Sequence, residues 1–245
     1  MVARGLLALA LGGSLTLAGA TSATGEDPPA DGQVLQRVSG EAEVESQPQS
    51  DGSTFYRSGT QRVTTPLPEG YPRPTPPGVV ELKRYPEVRR ATFEGEGAGP
   101  NGMENSRQAF WPLFQHIKSR DIAMTAPVEI EYQEIQAGKE NEGTQTKDWS
   151  MSFLYRSKEN GPTESHDRIT VADTQPITVI STGITGDATR EQIERALKTL
   201  NQALADLDDW RTTDEVRVLG YNGPDVPQGE RWSEVQIKLT TAGEG

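Results

Sequence analysis

The sequence contains no cysteine, so it can form no disulfide framework, no thiolate metal site and no cysteine nucleophile, and it has no cysteine to lipidate. Its only histidines are His116 and His166, which leaves a histidine-based hydrolytic triad few places to come from. Basic residues are in the minority, 24 against 36 acidic, for a formal charge of -12. That balance repels a phosphate backbone and an anionic bilayer surface, so nucleic acid is not an expected partner. Hydrophobic residues make up 33% of the 245 positions, which suits one modest domain accompanied by chain that is not core. The G-x-S-x-G, P-loop and H-E-x-x-H motifs are also missing.

Long apolar runs are missing too, with one short exception at the start. Residues 6–17 are apolar or small, follow one positive charge, and precede Ala18-Gly19-Ala20 and Thr21-Ser22-Ala23, both suited to signal-peptidase cleavage. Residues 1–23 therefore read as a secretory signal peptide, too short to span a bilayer, and the mature chain is expected to be exported, periplasmic or extracellular, without a membrane span. Residues 24–78 are rich in Pro, Gly, Ser, Gln and Glu, with Pro66, Pro68, Pro72, Pro74, Pro76 and Pro77 almost adjacent. This composition predicts a disordered linker ending in a polyproline stretch that can lie against the folded part; a proline-rich ligand for a partner is the sharper alternative.

Legible periodicity begins near Val79 and ends near Leu239, leaving 240–245 as a tail. Ile122, Met124, Ala126, Val128, Ile130 and Tyr132 alternate with polar or small residues, and Trp149, Met151, Phe153 and Tyr155 repeat the spacing after a polar stretch. The two runs predict a long-looped hairpin with Met124 and Phe153 facing the core, Thr125 facing away, and a bulge or edge at Pro127. Further strands are predicted at 79–85, 88–93, 177–181, 215–221 and 232–239. Two helices interrupt them. Ile193, Ala196, Leu197, Leu200, Ala203, Leu204 and Leu207 form one stripe behind a capping box at Thr189 and Gln192. Residues 106–119 place Ala109, Phe110, Leu113, Phe114 and Ile117 on one side, with Pro112 expected to kink the helix or delay its start. The order of strands, helix and strands thus occurs twice, predicting an α+β fold with an internal duplication.

Gly97-Ala98-Gly99-Pro100-Asn101-Gly102 fits G-x-G-x-x-G, but Glu94, Glu96 and Glu104 would crowd a pyrophosphate and the strands alternate where a parallel sheet would be continuously apolar. A flexible loop is the expected reading.

Four segments match a known pattern: residues 80–86 (Val-Glu-Leu-Lys-Arg-Tyr-Pro), then Ala109-Phe110, Leu113-Phe114 and Ile117, then residues 122–128 (Ile-Ala-Met-Thr-Ala-Pro-Val), then residues 149–153 (Trp-Ser-Met-Ser-Phe). Together they resemble the SOUL heme-binding protein family, and Ser233-Glu234-Val235 resembles its closing Asn-Glu-Val. The resemblance implies a distorted antiparallel β-barrel built from two β-α-β repeats with two flanking helices, and a non-catalytic binder of heme or a related tetrapyrrole. The expected site is an apolar surface beside the first helix made by Phe110, Leu113, Phe114, His116 and Ile117. His116 is the candidate iron ligand, since a neutral imidazole binds heme iron well, although a lone helix histidine is more often structural. Arg107, Lys118 and Arg120 are the nearest cations for the propionates. Two alternatives stay open: a domain like the gyrase-inhibitor-like modules, binding or hydrolysing amphiphiles with Glu234 and Trp232, and a ligand-free interaction module. Glu234 lies on the strand face opposite Val235, Ile237 and Leu239, a face that is either solvent or cavity.

Overall fold

In a computed structural model, residues 31–96, 106–132 and 148–242 are described. The expected signal peptide and the Gly97–Gly102 motif lie outside these residues.

The chain runs through β1 (Gln33–Ser39), β2 (Glu45–Pro48), β3 (Thr54–Ser58), β4 (Gln61–Val63), β5 (Val80–Tyr85), β6 (Arg89–Glu96), α1 (Arg107–Ser119), β7 (Val128–Tyr132) and β8 (Asp148–Leu154). It continues with β9 (Glu164–His166), β10 (Ile169–Asp173), β11 (Ile177–Thr185), α2 (Arg190–Leu204), β12 (Trp210–Gly220) and β13 (Trp232–Thr241). Ten strands form one antiparallel sheet in the order β1-β5-β11-β13-β12-β7-β8-β6-β10-β9. The pairings bear out a mostly antiparallel sheet with two helices, and among the described residues none joins β1 to β9, so they do not extend to the closure of a barrel. The duplication is visible in the order itself. Exchanging β5, β6, β7 and β8 for β10, β11, β12 and β13 turns the run from β5 to β10 into its own reverse.

Strand alternation divides the sheet into two unlike faces. Val80, Leu82, Ala91, Phe93, Val128, Ile130, Met151, Phe153, Val216, Val218, Val235 and Ile237 point to one face, where α1 and α2 cover them and close the main core. The hairpin register places Val128 opposite Phe153, Ile130 opposite Met151 and Tyr132 opposite Trp149. It starts later than the alternation implied. Residues 123–126 are irregular before a cis Ala126–Pro127 bond, and Thr125 is buried, its hydroxyl donating to Leu154 O at 2.5 Å. Thr125 therefore does not face solvent as expected; its side chain satisfies a carbonyl that would otherwise be stranded.

α2 begins as its sequence predicts, with the Thr189 hydroxyl accepting from Gln192 N and the Gln192 side chain accepting from Thr189 N. α1 begins at Arg107 and carries Pro112 inside, so the proline does not delay its start.

Residues 24–78 overturn the expectation of a disordered linker wherever they are described. β1 pairs with β5 at the sheet edge, and β2, β3 and β4 make a small separate sheet. Residues 64–78, here called the strap, then cross the polar face of the large sheet. Leu67, Pro68, Tyr71, Pro72, Pro74, Thr75 and Pro76 are buried, and Leu67 and Tyr71 join Tyr85, Tyr221 and Trp232 in a second apolar cluster. Proline has no N–H, so a proline-rich segment buries itself without stranding donors. Low apolar content did not make the segment disordered because the sheet supplies its partners.

Candidate functional site

The helical period decides what α1 can offer on each side. Ala109, Leu113 and His116 fall at i, i+4 and i+7, the spacing that Ile193, Leu197 and Leu200 share in α2, and all six are buried. Arg107, Trp111, Phe114 and Lys118 fall on the opposite stripe. Trp111 is 56% exposed, Arg107 and Lys118 are exposed, and Phe110 and Phe114 are half-buried. The aromatic rings make one patch. Phe110 stacks on Phe114 at 6.0 Å between centroids, Trp111 meets Phe114 edge-on at 5.8 Å, and Phe110 meets Phe153 of the core edge-on at 5.1 Å.

Of the five expected site residues, Phe110 and Phe114 reach this patch, while Leu113, Ile117 and His116 belong to the core side. His116 is 6% exposed, and its Nε2 lies 3.0 Å from the Tyr155 hydroxyl. Glu164 is 4.0 Å from that nitrogen and binds Arg120 at 2.6 Å. Burial, and then the Arg120 charge, hold the imidazole pKa below its ordinary value. His116 is thus a neutral core histidine turned about half a helical turn from the exposed stripe, which is no place for an iron ligand to a ring on that stripe. Arg120, being paired, is also withdrawn from the expected set of cations. His166 is exposed on β9. Among the described residues no cluster of three His, Asp or Glu could hold a metal ion, and no helix is long and apolar enough to cross a membrane.

The other sheet face carries charge of both signs, arranged so that each group meets its opposite. Arg90 binds Glu129 and, at 3.0 Å, Glu131; Arg217 binds Glu129; Lys238 binds Glu131 at 2.9 Å. Burial would raise the Glu131 pKa, but Arg90, Arg217 and Lys238 outweigh it and bring the carboxyl to about 2. A cleft of about 400 Å³ opens over Arg90, Glu129, Glu131 and Arg217, with Tyr71 and Tyr85 in its wall.

Next to it lies Glu234, fully buried with Lys83 at 3.2 Å. Its carboxylate accepts from Thr75 N at 2.7 Å, Tyr221 Oη at 2.7 Å, Ser181 Oγ at 2.5 Å and Gln236 Nε2 at 2.8 Å. Burial pushes the Glu234 pKa up, and Lys83 with these donors more than reverses it, so the group stays ionised. Burial lowers the Lys83 pKa, and Glu234 and Glu81 only partly restore it. The Trp232 indole donates to Thr75 O at 2.7 Å. The Glu234 and Trp232 pair of the amphiphile-binding alternative is therefore already engaged by the strap. Sequence reasoning found both residues but not their cover. The available signal was the cluster of Glu81, Lys83, Arg217, Glu234 and Gln236 on a single sheet face, where unlike charges can pair only if that face is enclosed.

No curated protein sequence matches the chain. Among solved structures it is similar to the C-terminal domain of EcmrR, at 14% identity and a TM-score of 0.51, covering 66% of this chain and 96% of that one. It also resembles a hydrolase encoded by lin2189 from Listeria innocua, at 12% identity and a TM-score of 0.48, covering 68% and 93%. At such identities the first likeness speaks for the fold alone: a mostly antiparallel sheet with two helices. The SOUL heme-binding protein family model matches residues 73–238, from within the strap into β13, and the chain belongs to that heme-binding family.

Proposed function

We propose that this chain is an exported, non-catalytic binder of heme or a related tetrapyrrole, which lies flat on the exposed aromatic face of α1. The observation that carries the reading is the stripe Arg107, Trp111, Phe114 and Lys118. Two aromatic side chains stand between two cations on a single helix face, and among the described residues neither cation has an ion-pair partner. A flat apolar ring bearing two carboxylates matches that order, and the local positive charge offsets the net -12 of the chain. The family's cofactor therefore fits the surface by its ring and propionates. Because His116 points into the core, the iron has no histidine ligand on this face, and affinity comes from apolar burial. The acidic balance continues to argue against nucleic acid, and export rests on residues 1–23.

Titration with hemin and with metal-free porphyrin tests the reading. Both should bind in the micromolar range with similar affinity, since a micromolar complex needs ~8 kcal/mol net and about 500 Å² of apolar contact, counted over both partners, supplies ~12 kcal/mol against an association cost of ~4 kcal/mol. Trp111→Ala should weaken both at least about tenfold, and His116→Ala should shift neither the Soret band nor the affinity. Absence of any Soret change at tens of micromolar hemin would end the proposal. N-terminal sequencing of the mature protein should find a start near Thr21 or Thr24.

A further inference from the structure

The polar face of the sheet holds its own chain in a way that describes a ligand. The strap is gripped through its main chain: Thr75 N–H donates to Glu234 Oε1 and Thr75 O accepts from Trp232 Nε1, each at 2.7 Å. Arg73 O accepts from Lys83 Nζ at 2.7 Å, and Gly78 N–H donates to Gly183 O at 3.1 Å. Glu234, Trp232 and Lys83 are each 0% exposed beneath it. These four contacts read peptide groups, and two side chains of the strap add to them, Arg73 pairing with buried Glu81 at 2.7 Å and Thr75 Oγ1 donating to Ser181 Oγ at 3.3 Å. At Gly183 the approach is so close that a Cβ would lie 2.2 Å from Thr75 O, so the sheet is relieved of a side chain where the strap passes.

The strap's composition suits the grip. Pro68, Pro72, Pro74 and Pro76 are buried and bring no N–H to satisfy, and an extended proline-rich segment is preordered, so it loses little entropy on binding. The groove does not end with the strap, because the cleft of about 400 Å³ continues from Tyr71 and Tyr85 toward Arg90, Thr170 and Asp173. The strap meets β5 through Gly78, exposed and at φ +76°, a joint at which the preceding residues can swing while β5 stays paired.

We propose that the groove beneath residues 66–77 is a binding site for an extended proline-rich peptide, held in cis by the strap and open to competition by a segment of the same chemistry in trans. This site lies across the sheet from the α1 surface and does not depend on the tetrapyrrole reading.

The test uses the full chain and a fluorescent peptide with the sequence of residues 64–78. Thr75→Pro removes the N–H that Glu234 accepts and weakens the cis occupant without touching the groove. The Thr75→Pro protein should bind the peptide at least about tenfold more tightly than the wild type, whose strap competes. A peptide carrying the same Thr-to-Pro change should not bind, nor should the Thr75→Pro protein with Trp232→Phe added. Equal binding by wild type and Thr75→Pro, or none by a folded Thr75→Pro protein, overturns the proposal. Should Thr75→Pro not fold, amide exchange on the wild type decides. The Thr75 and Gly78 amides should exchange by a local opening, faster than those of Val235 and Ile237; exchange as slow as the core strands would show that the strap does not leave.

Discussion

Substituting the members of the Lys83–Glu234 pair separately should give unequal losses of stability, and the inequality follows from who else binds each partner. Glu234→Leu leaves the Lys83 ammonium fully buried, with Arg73 O as the remaining hydrogen-bond acceptor among those described. An uncompensated buried charge costs about 3–5 kcal/mol. Lys83→Met leaves Glu234 with four neutral donors, from Thr75, Ser181, Tyr221 and Gln236. Such bonds stabilise a carboxylate well, so this loss should be smaller, about 1–2 kcal/mol. The double variant removes both charges together. Its cost should fall below the sum of the singles by about 2 kcal/mol, within the range that contacting residues show. Urea unfolding at neutral pH measures all four proteins, and for a domain of this size each kcal/mol also moves Tm by about 2–4 °C. A strictly additive double variant, or a Glu234→Leu loss under about 1 kcal/mol, would show that the pair is not the buried, mutually dependent unit described.

Glu131 should set part of the acid limit. Its folded-state pKa lies below the ordinary 4.5, at about 2, so the stability it adds is complete above pH 4.5 and lost as pH falls toward 2. The total is about 3 kcal/mol. Glu131→Gln should flatten that limb of an acid titration followed by circular dichroism, and an unchanged limb would count against the three-cation cage. His116 works in a higher window. Its pKa is held below 6.5, so the unfolded chain takes up a proton first and stability declines as pH drops below that value. Thermal melts at neutral pH and near pH 5 should show a smaller decline for His116→Leu than for the wild type. Thr125→Val should cost about 1–2 kcal/mol through the stranded Leu154 carbonyl, and Thr125→Asp should be as damaging as Phe153→Asp because both sites are buried. Trp111→Ala should stay within about 0.5 kcal/mol of the wild type in urea, since its side chain is largely in water.

The strands that were legible in the sequence have one apolar and one polar face, and alternation reports that contrast directly. Ile130, Met151 and Val235 stand between polar neighbours, which assigns them inward. β1 to β3 gave no such signal: Gln33–Ser39 and Glu45–Pro48 are mostly exposed on both faces, so their pairing rests on backbone bonds that leave no mark on the pattern. The strap was hidden for a different reason. Polyproline-like chain has no helical or strand period, and its partners Glu234 and Trp232 lie far away in the sequence. His116 is a candidate ligand by its chemistry, but its i, i+4, i+7 relation to Ala109 and Leu113 matches the Ile193, Leu197 and Leu200 stripe of α2 and so points to the core. Trp111, which the aromatic patch turns on, lies outside the predicted apolar stripe because that stripe marks the side of α1 that packs on the core.

Thr75 binds Glu234 across 159 positions of sequence and Trp232 across 157. Synthesis runs from the N-terminus, so the strap leaves the ribosome early and waits for β13, the last of the described strands. Until Arg231 has been passed, Thr75 has neither its acceptor nor its donor, and Lys83 has no counter-charge from Glu234. Contacts of such separation carry a high loop-closure cost and belong to slow, late steps of folding. A chain stalled or cut before β13 therefore exposes a proline-rich segment and a half-built charged face at the same time, and completion of the last strand hides both.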